Sequence, residues 1–360
     1  MPEIISDSAA LVQLCEALQA ASAIGLDTEF MRERTYFAQL CLLQLSYGDQ
    51  AVCIDTLALR DLGALRTIMA APQTPKIVHA ARQDLEVLEP AIGTVAGVFD
   101  TQVAAALIGM PAQVGYGDLV QRLLATNLRK AETRTDWTRR PLTSAQLAYA
   151  LDDVRYLLPL RERLRERLER LGRWGWFEEE MAELNANGPF AIDPEQAWRR
   201  LKGLADLDAA RQDLAHRLAA WRERIAISAD RPRNWILPDA ALREIVLRVP
   251  RTAGELEVAT GSSELVRSPY GREILELIHA AQLPDRLPAL PQRRRPDPAV
   301  SEAVRKLAEL TQLTGRELGI APEILATRRE MERLVAGARD GGLLSGWRRE
   351  VIGERLLEAL

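Results

Sequence analysis

The sequence predicts a mixed α/β domain followed by two all-α domains. Short apolar segments bounded by turn residues occur only before Gly115, where they alternate with helical patterns. Helical periodicity dominates the rest of the chain, and turn-forming breaks at 185–189 and 287–298 interrupt it. We therefore place the domain boundaries at 1–185, 206–288 and 298–360.

The first domain is predicted to open with a helix and an antiparallel meander. Residues 7–22 carry apolar side chains at helical spacing, with Ser6 or Ser8 as the cap. Three strands follow, at 24–30, 39–46 and 51–55. Helices and short strands then alternate, at 62–71, 76–79, 83–90, 97–100 and 101–108. Two further helices are expected, a short one at 118–124 and a long one at 143–171 capped by Thr143.

Composition and the rarer residues exclude several classes of protein. The chain has 47 basic and 51 acidic residues, so a nucleic-acid partner requires local basic patches. Cys15, Cys41 and Cys53 lack the spacing of a disulfide framework or a zinc site, which favours a reducing, cytoplasmic compartment. The sequence also lacks a membrane span, a signal peptide and a phosphate-binding loop, so we expect no membrane partner and no nucleotide cofactor.

An apolar run at residues 24–30 contains two carboxylates. Side chains alternate between the faces of a strand, so Asp27 and Glu29 are predicted to project from the same face. Two like charges side by side are favoured when a cation lies between them, and Mg²⁺ or Mn²⁺ prefers oxygen ligands. The alternative is a strand end with two solvated acids.

Three later residues are predicted to converge on the same place. Asp84 follows the strand at 76–79 in the first turn of a helix, where it alternatively only stabilises the helix dipole. Tyr149 and Asp153 are four residues apart and share a helix face. The alternative for this pair is an ordinary exposed acid beneath a half-buried tyrosine. Asp152 points about 100° away, and we assign it no metal.

A basic segment leads into that helix and is a candidate for binding nucleic acid. It carries cations and one aromatic residue, namely Arg129, Lys130, Arg134, Trp137, Arg139 and Arg140. Phosphate contacts of this kind position a strand without reading its sequence, whereas the alternative is a solvated basic loop. Trp221 and Trp235 are either part of a single-strand platform or core residues, and His79 is interpreted as structural.

Three segments together resemble the motifs of the DEDD exonucleases, in their tyrosine-bearing subclass. They are Asp27-Thr-Glu29-Phe, His79-Ala-Ala-Arg-Gln-Asp84 and Tyr149-Ala-Leu-Asp-Asp153. The segments 130–143 and 153–159 look like the ribonuclease D family within that group, and the C-terminal region is similar to tandem HRDC domains.

The resemblance implies a ribonuclease-H-like fold and a 3′–5′ exoribonuclease. It implies that Asp27, Glu29, Asp84 and Asp153 bind two divalent ions, Mg²⁺ or Mn²⁺, and that Tyr149 orients the attacking water. The expected substrates are tRNA precursors and other structured RNAs with 3′ tails, shortened with release of nucleoside 5′-monophosphates. We expect a monomer whose helical domains hold long RNA while the first domain cleaves. The alternatives are a proofreading-type DNA exonuclease and a catalytically silent RNA-binding protein.

Overall fold

The computed structural model describes residues 3–59, 61–128, 135–186, 193–204, 207–281 and 297–360. By its internal contacts the chain forms two compact units. The first consists of Met1–Met31, Leu40–Phe190 and Pro296–Leu360, and the second of Arg32–Gln39 and Ala191–Arg295. The boundaries given above for three domains stay a prediction, and the segment from 298 onward has its contacts within the first unit.

A mixed sheet forms the centre of the first unit, as the sequence predicts. Its strands are β1 Ile4–Ile5, β2 Ile24–Met31, β3 Gln39–Tyr47, β4 Gln50–Asp55, β5 Lys76–Val78 and β6 Val98–Asp100. Their order in the sheet is β1-β4-β3-β2-β5-β6. β3 and β4 are antiparallel, whereas β1 pairs with β4, β5 with β2 and β6 with β5 in parallel. β1 was not predicted because two residues are too short for a periodic pattern.

Helices of the first unit cover the sheet and continue through the C-terminal segment. Those before residue 187 are α1 Ser8–Gln19, α2 Arg66–Ala70, α3 Arg82–Ile92, α4 Thr101–Leu107, α5 Tyr116–Leu124, α6 Ser144–Arg155, α7 Leu157–Arg170 and α8 Trp174–Ala186. A 3₁₀ turn, Gly63–Leu65, precedes α2. Throughout the described ranges, each helix is too short or too polar to span a bilayer.

Two local predictions for these helices need correction. The cap of α1 is Asp7, whose carboxylate accepts a hydrogen bond from Ala10 N at 2.9 Å, and not Ser6 or Ser8. The single helix predicted at 143–171 is broken at Tyr156 into α6 and α7. Pro159 explains the break, because a proline ring collides with the carbonyl four residues earlier and provides no N–H for it.

The first unit has apolar cores that include both the sheet and the C-terminal helices. Leu14, Leu18, Leu26 and Val78 belong to one core. In another core, the buried leucines of α7 at 157, 160, 164 and 168 are joined by C-terminal residues, namely Val304, Leu307, Ile320, Leu325, Met331, Leu334, Leu343, Trp347, Ile352 and Leu356. The C-terminal segment is therefore part of this core.

Helices, two of them with 20 or more residues, build the described parts of that segment and of the second unit. In the second unit they are α9 Ala209–Ser228, α10 Arg233–Ile236, α11 Asp239–Arg248, α12 Ala253–Thr260, α13 Ser263–Arg267 and α14 Pro269–Ala280, preceded by a 3₁₀ turn at Pro194–Arg200. In the C-terminal segment they are α15 Pro298–Leu318, α16 Pro322–Leu325, α17 Arg328–Val335, α18 Gly346–Arg348 and α19 Glu354–Glu358, with a 3₁₀ turn at Gly342–Leu344 and a π turn at Arg349–Gly353.

A segment from the N-terminal third of the chain belongs to the core of the second unit. Tyr36 is 8% exposed among the buried residues of that unit, and its hydroxyl donates a hydrogen bond to the fully buried carboxylate of Glu223. Asp230 Oδ1 accepts hydrogen bonds from Tyr36 N and Phe37 N, each at 3.0 Å. Local periodicity contains no signal for this long-range pairing.

Candidate active site

Strand β2 directs two acidic side chains toward the helices that cover it. Gly25, Asp27 and Glu29 are two residues apart and therefore share a face. A Cβ atom at Gly25 would lie 2.2 Å from Ser46 Oγ and 3.2 Å from Cβ of Leu157, the first residue of α7. Only glycine lets the strand approach this closely, and both α6 and α7 contact β2. Asp27 and Glu29 thus face these two helices.

Asp84 reaches the same region from the first turn of α3. Its side chain is 7% exposed, and Oδ1 accepts a hydrogen bond at 2.5 Å from the Thr28 hydroxyl, between the two acids of β2. This contact fixes the carboxylate of Asp84 beside the strand. Asp84 therefore combines a first-turn position, which favours the helix dipole, with a buried contact to the strand, and its part in binding metal stays a prediction.

The turn that leads into α3 depends on Asp100, a residue that the sequence reasoning missed. Ala80 adopts a left-handed conformation with φ 58°, which is costly for a residue with a Cβ. The buried Asp100 carboxylate accepts hydrogen bonds from Ala80 N at 3.0 Å and Ala81 N at 2.9 Å, and it also caps α4. A signal existed, since Asp100-Thr101 after an apolar strand is typical of a helix cap.

Helix α6 supplies the remaining two predicted residues. Thr143 starts the helix with a capping box completed by Gln146, which confirms the predicted cap. Tyr149 and Asp153 lie one turn apart on this helix, and the tyrosine hydroxyl interacts with the Asp153 carboxylate. Burial raises the pKa of Tyr149, and the charges of Asp153 and Glu29 raise it further. The hydroxyl therefore keeps its proton at neutral pH.

The structure brings three of the four predicted acids within ligand distance of one another, and Asp84 is not among the three. One carboxylate oxygen each from Asp27, Glu29 and Asp153 lies within 4.8 Å of the others. Asp84 belongs to the same group electrostatically, because after burial its charge is the largest contribution that raises the pKa of Asp27. Burial followed by repulsion from Asp153 and Asp84 raises the pKa of Glu29 to about 8.

Two further carboxyls show the same effect. Burial raises the pKa of Asp153 to about 7, and the charges of Asp152 and Asp84 add to it, although the Tyr149 hydroxyl opposes the rise. Burial also raises the pKa of Asp84 to about 6, against the hydrogen bond from Thr28. The raised pKa values reflect the cost of a carboxylate charge in a partly dehydrated space, to which repulsion among the neighbouring carboxylates adds.

These residues fit a divalent cation. Carboxylate oxygens are the ligands that hard ions prefer, and three of them converge from β2 and α6. A cation bound among them would remove the repulsion that raises the pKa values, so the electrostatics favour occupancy.

Two described residues of the basic segment, Trp137 and Arg140, make contacts within the protein. Arg129, Lys130 and Arg134 lie outside the described residues. Trp137 is 6% exposed and packs on Tyr149, with ring centroids 6.2 Å apart. The guanidinium of Arg140 forms an ion pair with Asp55.

Arg139 is the described cation of this segment that is open to solvent. Its side chain is 83% exposed, with an ion pair to Asp136 at 3.3 Å. A contact between the segment and RNA therefore stays a prediction, and within the described part it applies best to Arg139.

The structure also shows the surroundings of the other aromatic candidates and of His79. Trp221 is 6% exposed and donates its indole N–H to Glu273, which makes it a core residue, whereas Trp235 is 60% exposed. Both ring nitrogens of His79 are engaged, with Thr101 Oγ1 at 2.9 Å and the Val114 carbonyl at 3.0 Å. This arrangement supports the structural interpretation of His79.

Comparisons with known proteins agree with this geometry. Residues 2–169 match the family model of the 3′–5′ exonucleases, and residues 211–278 match the model of the HRDC domain. A ribonuclease D of Granulibacter bethesdensis is 38% identical over 366 residues, which covers 99% of this chain and 92% of that protein. The chain belongs to the ribonuclease D family. A ribonuclease D of Acidiphilium cryptum is 39% identical with the same coverage.

A solved structure extends the agreement to the fold. The crystal structure of Escherichia coli RNase D, described as an exoribonuclease involved in structured RNA processing, superposes with a TM-score of 0.88 at 33% identity. The superposition covers 100% of this chain and 98% of the E. coli chain. The predicted family and fold class are therefore confirmed, with an exonuclease domain on a mixed sheet and a helical region that contains an HRDC domain. The enzyme is a 3′–5′ exoribonuclease of the ribonuclease D type.

Proposed function

We propose that the enzyme shortens structured RNAs from their 3′ ends by hydrolysis assisted by two divalent metal ions, Mg²⁺ or Mn²⁺. The cluster of carboxylates is the observation on which the proposal rests. Asp27, Glu29 and Asp153 are the ligands that the geometry supports, and Asp84 joins them through its charge. When bound, the ions supply positive charge for an attacking water and for the leaving oxygen.

The protein residues around that charge have distinct tasks. The four carboxylates hold the ions and balance their charge, and Thr28 keeps Asp84 in place. Tyr149 retains its proton because its pKa is raised. Its hydroxyl would hold the attacking water by a hydrogen bond. Hydrolysis by an activated water at the last phosphodiester releases a nucleoside 5′-monophosphate and leaves a shortened RNA with a free 3′ hydroxyl.

The substrate proposal draws on the family and on the helical regions. The E. coli relative is described by its role in structured RNA processing, and we propose tRNA precursors and other RNAs with 3′ tails as the substrates here. The HRDC domain at 211–278 and the segment 298–360, which we propose to be a second HRDC-like domain, would hold the body of the RNA. Contacts from Arg129, Lys130, Arg134 and Arg139 would guide the 3′ strand.

The cellular setting is a further part of the proposal. We take the enzyme to be a cytoplasmic monomer. Cys15, Cys41 and Cys53 are buried thiols, which fits a reducing compartment. Light scattering on the purified protein measures its mass in solution, and a dimer would contradict the monomer.

Activity measurements on matched variants test the assignment of the site. Asp153→Asn is expected to lower the hydrolysis of a short RNA by at least about a hundredfold, because it removes a ligand charge. Asp152→Asn is the control, since Asp152 is the neighbouring acid whose partner is Arg155 at 2.5 Å. Near-normal activity of Asp153→Asn, or activity that survives EDTA, would overturn the proposal.

A second comparison separates the proposal from a proofreading-type DNA exonuclease. An RNA and a DNA oligonucleotide of the same sequence are digested side by side with Mg²⁺. We expect faster trimming of RNA, as the ribonuclease D relatives indicate. Equal or faster trimming of DNA would favour the alternative substrate.

A further inference from the structure

Arg140 fastens the loop in front of helix α6 to the sheet. Its guanidinium donates to both carboxylate oxygens of Asp55, from Nε to Oδ2 at 2.7 Å and from Nη2 to Oδ1 at 2.9 Å. Asp55 is the last residue of β4 and is 9% exposed at its side chain. A bidentate, largely buried pair of this kind sets orientation as well as distance.

The remaining donors of Arg140 connect the same loop to a second strand. Nη2 donates to the carbonyl of Cys41 in β3 at 2.8 Å, and Nη1 donates to the carbonyl of Trp137 at 2.8 Å. The Asp55 carboxylate in turn accepts from Leu57 N and Ala58 N. The backbone at Trp137 is therefore held to the ends of two adjacent strands through one guanidinium.

The held backbone determines where the indole of Trp137 lies. The side chain is buried in a small core with Cys41, Leu42, Ala150 and Leu151, so it is not available to stack on a nucleotide base. Its ring stacks on Tyr149, with an angle of 29° between the planes. One face of the tyrosine ring is thereby covered by a side chain that is itself fixed.

We propose that Asp55, Arg140 and Trp137 are positioning residues that hold the Tyr149 ring, and with it the hydroxyl, in its present place one helical turn before Asp153. The inference rests on the function proposed above for Tyr149. A tyrosine on a helix surface has more than one staggered χ1 well, and its hydroxyl moves by several ångströms between them. Packing by Trp137 closes the space that the ring needs to leave its present well, and the Arg140 pair keeps Trp137 from retreating.

This role differs from direct RNA binding in what a substitution changes. Trp137→Leu is expected to lower kcat by about tenfold to a hundredfold, because a displacement near 1 Å at a reacting group has an effect of that size. KM and the affinity for a short RNA in EDTA are expected to stay close to normal. Trp137→Phe keeps an aromatic ring and is expected to recover most of kcat.

A double-mutant cycle identifies the residue through which Trp137 acts. Tyr149→Phe keeps the ring but lacks the hydroxyl, so Trp137→Leu is expected to cause little further loss of kcat in that background. Arg140→Lys, which cannot reproduce the bidentate pair, is expected to show the same pattern in a milder form. Thermal melts and circular dichroism of each variant establish that it is folded.

Three outcomes would overturn the inference. An equal loss of kcat from Trp137→Leu with and without the Tyr149 hydroxyl would make Trp137 a general structural residue. Weakened RNA binding with unchanged kcat would make it a base contact. Normal kcat in Trp137→Leu, while Asp153→Asn is inactive, would refute the positioning role and leave the proposed hydrolysis standing. An active Asp153→Asn would instead remove the proposed function itself.

Discussion

Removal of the metal ions should expose the electrostatic cost of the acidic cluster, and pH should control its size. The pKa values of Glu29, Asp153 and Asp84 are raised to about 8, 7 and 6, from 4.5 for a free glutamate and 3.8 for a free aspartate. Burial is the main cause in each case. At pH values between the free and the raised pKa values, the folded, metal-free protein therefore holds more protons than the unfolded chain does.

The sign of the effect on stability follows from that difference. A folded pKa above the unfolded one gives stability that is complete below the unfolded pKa and is lost as pH rises through the folded value. The metal-free protein should therefore lose stability as pH increases from about 4 to 8. Protons compete with the ions for the same oxygens, so metal affinity should rise over the range in which these protons leave.

The magnitude can be worked out from the same values. Loss of the Asp153 proton alone should raise the affinity about tenfold between pH 6 and pH 8. If Asp153, Glu29 and Asp84 titrated independently, the increase would be about a thousandfold. The carboxyls interact, so the expected increase lies between these limits.

Calorimetry measures both the affinity and the protons. EDTA-stripped protein is titrated with Mn²⁺ at pH 6, 7 and 8 in two buffers of different ionisation enthalpy, which gives the number of protons released. About one to two protons should leave at pH 7. Asp152→Asn is the control and should still bind Mn²⁺ and release protons, although loss of the charge that raises the pKa of Asp153 should move the rise in affinity to a lower pH. Affinity that does not change with pH, or that Asp153→Asn leaves unaltered, would refute the reasoning.

Three substitutions or deletions test how the fold supports the site. Gly25→Ala is expected to destabilise the protein by about 1–3 kcal/mol in thermal melts because its Cβ has no space, whereas Gly117→Ala, where nothing lies within 4 Å, should be tolerated. Asp100→Ala should lower the free energy of unfolding by about 2–4 kcal/mol and weaken Mn²⁺ binding, because it loosens the turn before Asp84. Asp7→Ala removes a simple N-cap, so it should cost about 1 kcal/mol and leave Mn²⁺ binding unchanged. Deleting residues 297–360 should abolish cooperative melting, and a folded, active product would contradict this.

The strands and most of the candidate site residues were predictable because their signals are local. β2 through β4 are apolar runs bounded by turn residues, and alternation alone places Asp27 and Glu29 on one face. The i, i+4 spacing of Tyr149 and Asp153 likewise needs only a helix. Convergence of Asp84 on these residues depends on a less local contact, and the resemblance to the exonuclease motifs is what implies it.

The remaining features depend on contacts between distant segments. Tyr36 is buried against Glu223, which lies 187 positions away, and no periodicity near either residue indicates that pair. Trp137 in a basic loop is typical of a base-stacking residue, and only the bidentate contact of Arg140 with Asp55 shows why it is buried. From the sequence, the first domain is expected to cleave short RNA even when residues from about 206 onward are deleted. In the structure the leucines of α7 share their core with the C-terminal helices, so we expect that deletion to expose this core.

The acidic cluster depends on constraints in the surrounding structure. Mutual repulsion would separate four neighbouring carboxylates, one buried and three half-buried, if their elements were free to move, because a shift of an ångström or two lowers the repulsion appreciably. Instead, the Gly25 contact fixes β2, Asp100 fixes the turn before α3, and the capping box fixes the start of α6. Each constraint acts on a different element, so the loss of one should loosen a single ligand and leave the others in place. Residues outside the motif therefore decide how well the site is organised before the ions bind.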